Sequence, residues 1–227
     1  MRKLQTILLA TDFRPASHEA AKAATKLASA FNSRIALLHA IEPVLGWPVA
    51  LQEKEKEGPV RELAADLSAP HVEVAESSIV VGPPVNTILA KANEVDADLI
   101  VIGAGDRTGA FKFSGGTTAV AVIQHATQPV LAVRPGDPAP TFKKILCPVD
   151  QSGASGRGLR NAIRLARALG GEVIALTVVP EVSWLTAAVE TGQFNDALKE
   201  YDAKWREDFA AFVAAAPAQD VKVTTEI

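Results

Sequence analysis

Three places in this chain carry residues whose types and spacing suit a charged ligand. The fullest is VIGAGDRTGAFKFSGGTTAV, from Val101 to Val120. An apolar run ends at Ile102 and Gly103, and a loop carrying Gly105, Asp106 and Arg107 follows. Gly115, Gly116, Thr117 and Thr118 then open what reads as a helix. Paired glycines let a ligand approach the backbone closely. The helix behind them offers unpaired N–H groups and a positive dipole end, with two threonine hydroxyls alongside. That is a physical basis for holding phosphate. The other two places are Ala10-Thr11-Asp12 and His39-Ala40-Ile41, each closing an apolar run.

The rival phosphate motifs do not fit. No G-x-x-x-x-G-K-[ST] occurs, so the loop is not a P-loop. GAGDRTG is one residue longer than the dinucleotide fingerprint and follows the fourth strand signal, whereas that fingerprint follows the first. Asp12 reads either as a ligand contact or as the N-cap of the next helix; Asp150 reads as a cap. Cys147 lies within an apolar strand signal and reads as a buried thiol. His18, His39, His71 and His125 form no metal-spaced pair. No Ser-His-Asp, Cys-His or paired-carboxylate set can be assembled, so no catalytic residue is assigned. Trp47 and Trp184 read as covers for an interface or a sheet edge, and QEKEKEG as a solvated helix face.

The elements that must position these residues follow from an internal repeat. TILLATDFRPAS from Thr6 aligns without a gap with KILCPVDQSGAS from Lys144. Ile7 meets Ile145, Asp12 meets Asp150, and Leu27-Ala28 meets Leu165-Ala166. The proline-rich RPGDPAPTF marks a linker. The expected division is a unit over 1–135, a linker over 136–142 and a second unit over 143–227.

In the first copy, strand signals (TILLA, RIALLHAI, HVEVAESSIV, DLIVIG, PVLAVR) alternate with helix signals (Pro15–Phe31, Ala50–Leu67, Pro84–Asn93, Thr117–His125). Such alternation predicts an α/β fold: an open, parallel, five-stranded Rossmann-like sheet with helices on both faces. The second copy predicts a strand at Lys144–Val149, a helix at Ala154–Leu169, a strand at Glu172–Val179, a helix near Phe194–Ala215, and a strand in DVKVTTEI. It is expected to be partial, without strands four and five, and to lean on the first unit or another chain.

The composition agrees with a packed protein: 48% hydrophobic, 22% charged, net charge −3. No basic block suggests nucleic acid, and the N-terminal apolar run is too short for a signal h-region or a membrane span. One cysteine suits a reducing compartment. A cytoplasmic protein is expected.

With these residues in view, VIGAGDRTGAFKFSGGT, the ILLATD start and the HATQPVLAVRP ending together resemble the universal stress protein family. The resemblance implies ATP or a related adenine nucleotide lying over the ends of strands one and four, and a homodimer through strand five. The family motif G-x2-G-x9-G-[ST] places its first glycine on Gly103, its third on Gly116 and the following hydroxyl on Thr117. The acidic residue after strand one falls on Asp12, and the residue ending strand two on Ala40. The middle glycine falls on Asp106, a departure. A carboxylate within ~4 Å of a phosphate charge repels it by roughly 1–4 kcal/mol, depending on the local dielectric. Three arrangements stay open: Asp106 weakens binding, turns outward, or holds a Mg²⁺ that bridges to the phosphates. The implied function is stress response through dimer or protein-partner contacts, with at most slow ATP hydrolysis. The alternative is an interaction module whose phosphate loop Asp106 has disabled.

Overall fold

The computed structural model describes residues 4–68, 72–105, 117–134, 141–179, 193–218 and 220–227. The chain divides into two compact units, Met1–Pro140 and Thr141–Ile227.

The first unit is built on β1 (Thr6–Thr11), every residue of which is buried. An apolar strand with no polar face needs cover on both sides, which only a central strand receives. α1 (Pro15–Phe31) begins with proline at the first helical position. It buries a stripe of small residues, including Ala16, Ala20, Ala24 and Ala28, and ends at Asn32 in the left-handed conformation. Then follow β2 (Arg34–Ile41), α2 (Val49–Leu67), β3 (Glu73–Val81), α3 (Pro84–Glu94), β4 (Leu99–Gly103), α4 (Thr117–His125) and β5 (Val130–Val133).

The sheet order is β3-β2-β1-β4-β5, and every neighbouring pair is parallel. β3, at one edge, alternates in burial as its period-two sequence predicts. The pairing skips Ala75, leaving one extra residue in β3. Leu8, Leu38, Ile100, Ile88 and Val122 form the core between the sheet and α3 and α4.

The second unit contains β6 (Lys144–Pro148), α5 (Gly153–Leu169), β7 (Glu172–Leu176), α6 (Gln193–Ala214) and β8 (Val223–Glu226), with sheet order β6-β7-β8. α5 starts and stops 138 residues after α1, as the repeat requires. β7 stops at Leu176 rather than Val179. Its registers with both neighbours end there, with Leu176 opposite Pro148 of β6 and Glu226 of β8. The core gathers Cys147, Leu159, Ile163, Val173, Ala175 and Phe209. β6 is an edge strand with Leu146 57% exposed, whereas its repeat equivalent Leu8 is fully buried.

Candidate functional site

Strand order reverses at β1, which has β2 on one side and β4 on the other. Open α/β sheets bind ligands outside the carboxyl ends of strands at such a point. Ala10 lies opposite Ile102 and Thr11 opposite His39, so the three sequence clusters converge there.

The turn after β1 is held by its own side chains. Asp12 Oδ1 accepts the Arg14 N–H at 3.0 Å. The Ser17 hydroxyl lies 2.9 Å from that oxygen and 2.9 Å from the Arg14 carbonyl. Thr11 Oγ1 accepts the Phe13 N–H at 3.1 Å. Phe13 has φ of 61°, a conformation that bulky L-residues rarely adopt and that costs of order 1–3 kcal/mol. Its ring lies 4.6 Å from the His39 ring. His39 is buried, and its Nδ1 lies 2.8 Å from the Thr11 carbonyl. A carbonyl only accepts, so Nδ1 carries the proton and Nε2 of the neutral ring is the acceptor.

Sequence reasoning missed Phe13, and it placed His39 at a candidate strand end, His39-Ala40-Ile41, without giving the side chain a role. The available signal was a histidine near the end of the otherwise apolar RIALLHAI.

The capping readings need correction. Arg14, not Asp12, is the cap residue of α1, and it makes no side-chain cap bond. Asp12 instead closes the turn two residues earlier. In the second unit the cap is Ser152, which accepts the Ser155 N–H. Asp150 accepts the Ser152 N–H at 3.0 Å. Hydrogen bonds from the Ser152 hydroxyl, the Ser155 hydroxyl and the Ser152 backbone lower its pKa from 3.8 to about 2. A folded value below the unfolded one means the associated stability is present above about pH 3.8 and is lost as pH falls through about 2. NMR titration of the Asp150 carboxyl should therefore show a midpoint near 2, and Ser152→Ala should raise it.

Gly103 has a packing role. A Cβ there would stand 2.6 Å from Ser17 N and 2.7 Å from Ala16 C, so glycine lets α1 start directly against β4. Ala10, Thr11 and Ile102 are buried, while Ala40, Gly105 and Thr118 are half-buried. Thr117 begins α4. Asp106, Arg107 and Gly116 lie outside the described residues, as do His71 and Trp184. Trp47 is 42% exposed in the loop before α2. Among the described residues, no group of three or more His, Cys, Asp or Glu could hold a metal ion, and no helix is long and apolar enough to cross a membrane.

A model of the universal stress protein family matches residues 3–134 and 141–227. The chain belongs to the universal stress protein family. Universal stress protein MJ0531 of Methanocaldococcus jannaschii is 31% identical over 142 residues, spanning 56% of this chain and 81% of its own length. A universal stress protein from Archaeoglobus fulgidus shares the fold across the whole chain, covering 100% of it and 79% of the solved structure, with a TM-score of 0.69 and 18% identity. A universal stress protein solved in complex with cAMP is 26% identical over 58% of this chain and 97% of its own, with a TM-score of 0.48.

Proposed function

We propose that the first unit binds an adenine nucleotide, with ATP as the ligand to test, across the ends of β1 and β4. In this reading the protein acts in the cytoplasm in stress response, and its bound state is passed on through a homodimer or a protein partner. The observation that carries it is the position of Asp12. The turn fixes its Oδ1, yet the side chain stays 58% exposed where strand order reverses, with Arg14 Nε 3.7 Å from Oδ2. A carboxylate held this way suits the hydroxyls of a ribose. α4 begins after the glycine loop, on the β4 side of that point, where its N-terminus would face phosphate. Mg²⁺ would enter with the phosphates rather than through a protein cage.

Isothermal titration with ATP, with and without Mg²⁺, tests the proposal. Measurable heat is expected, and Asp12→Ala should lower affinity about tenfold, the worth of one charge-assisted hydrogen bond. No heat, together with no nucleotide carried through purification, would overturn it.

The interaction-module reading is favoured by the edge position of β5 beside the exposed Val120 and Ile123 of α4. Asp106→Gly separates the two readings. If it creates ATP binding that the natural protein lacks, the loop has been disabled and the interaction reading stands. If ATP binds both forms, the nucleotide reading stands.

A further inference from the structure

From Pro43 to Gln52, between β2 and the first turn of α2, the chain carries no charged residue. Its apolar side chains stand in water. Leu45 is fully exposed, and Val44, Trp47, Val49 and Leu51 are each about half exposed. Single exposed apolar residues are ordinary, but a cluster of this kind marks an interaction surface.

The tip is held in shape. Val44 to Trp47 form a type II turn: the Trp47 N–H donates to the Val44 carbonyl at 3.2 Å, and Gly46 has φ of 82° at the position where such a turn needs glycine. Gln52, only 3% exposed, clasps both ends of the turn. Its Oε1 accepts the Val44 N–H at 3.2 Å, and its Nε2 donates to the Trp47 carbonyl at 2.7 Å. A loop fixed in this way loses little freedom when a partner covers it.

A recess that suits the tip lies in the same unit. Between α2 and β3 runs a groove of about 460 Å³, with apolar walls from Val60, Ala64 and Ile79 and with Glu53, Glu57 and Arg61 also lining it. Two carboxylates against one guanidinium make the groove acidic. The tip leads into the N-terminus of α2, the positive end of the helix dipole, so the two surfaces are opposite in sign.

We infer that the Val44–Leu51 tip inserts into the α2–β3 groove of a second copy of this chain, whose own tip fills the groove of the first. Tip and groove are both carried by α2, so two α2 helices set antiparallel about a twofold axis make both contacts at once. Trp47 and Leu45 are the anchors. A lipid surface suits the tip less well, because Glu42, Glu53, Glu55 and Glu57 flank it and repel anionic headgroups. The groove lies at the β3 edge of the sheet, opposite β5, so this contact is separate from one made through β5.

Full-length Leu45→Cys and Ile79→Cys variants, mixed and treated with a short bismaleimide, test the contact. A cross-link joining one copy of each is expected, and neither variant alone should cross-link to a comparable yield. Should Ile79→Cys not fold, Ala64→Cys takes its place on the same wall. Sedimentation of the natural protein should show a self-association step with a Kd of about 10–100 µM, as suits a contact at the small end of interface sizes. Leu45→Glu should weaken that step about tenfold or more, by bringing a carboxylate against Glu53 and Glu57. Leu45 is fully exposed, so the variant should fold as the natural protein does. No tip-to-groove cross-link at about 200 µM protein, or a Leu45→Glu variant that associates unchanged, would overturn the inference. So would phosphatidylcholine vesicles that carry down the natural protein but not Leu45→Glu while no cross-link forms, since the tip would then be a membrane anchor.

Discussion

Phe209→Ala is expected to cost the second unit about 3–5 kcal/mol. Phe209 is 1% exposed and packs from α6 into a core that includes Cys147, Leu159, Ile163 and Val173. Removing it leaves a ring-sized void against the three strands described in this unit. Domains of this size hold about 5–15 kcal/mol in total, so the loss is a large fraction. The reporter is already present. Cys147 is the chain's single cysteine, belongs to the same cluster, and has its thiol pKa pushed up by burial. In the natural protein it should resist a thiol reagent until the unit opens. In Phe209→Ala, labelling should accelerate by roughly 10²- to 4 × 10³-fold, since each 1.4 kcal/mol is tenfold in the open population. An unchanged rate would show that α6 is not needed to close this core.

Gly103→Ala should act on the first unit's fold and site together. The added Cβ meets main-chain atoms of Ser17 and Ala16 at 2.6 and 2.7 Å, and backbone cannot rotate away as a side chain can. The first turn of α1 must retreat, at a cost of about 1–3 kcal/mol or more. The same turn carries Ser17, whose hydroxyl reaches Asp12. Under the proposed function, ATP affinity should fall as well. Urea unfolding with parallel ATP titration checks both effects, and a full-stability variant would contradict the packing argument. Gly158→Ala is the counterpart. Gly158 is exposed within α5 and has open space beside it, so alanine should stabilise by about 0.5–1 kcal/mol.

Much of the first unit was legible because two signals agree. The alternation of strand and helix patterns implies a parallel sheet, and the repeat places α5 on α1 residue for residue. The Asp12 end of β1 was also legible, since an acidic residue closing a buried strand stands out. Its partners were not. No residue type announces a left-handed phenylalanine, so Phe13 gave no sign. His39 looked like an isolated histidine until the register set it opposite Thr11. The end of β7 falls where its registers with β6 and β8 both end, which is a property of the three strands together. Gly103 carried a clear signal with two meanings, ligand approach and helix approach, and sequence does not distinguish them.

The edge position of β6 bears on how the protein behaves when concentrated. Among the described residues its outer side has no strand partner, and Leu146 is largely exposed beside it. Such an edge invites other chains to add strands in succession, the first step towards fibres. Here the strand is only five residues long, begins at an exposed lysine and ends at Pro148, which has no N–H to offer. A joining strand would gain few hydrogen bonds before meeting a charge at one end and a ring at the other. The edge thus offers little foothold for growth.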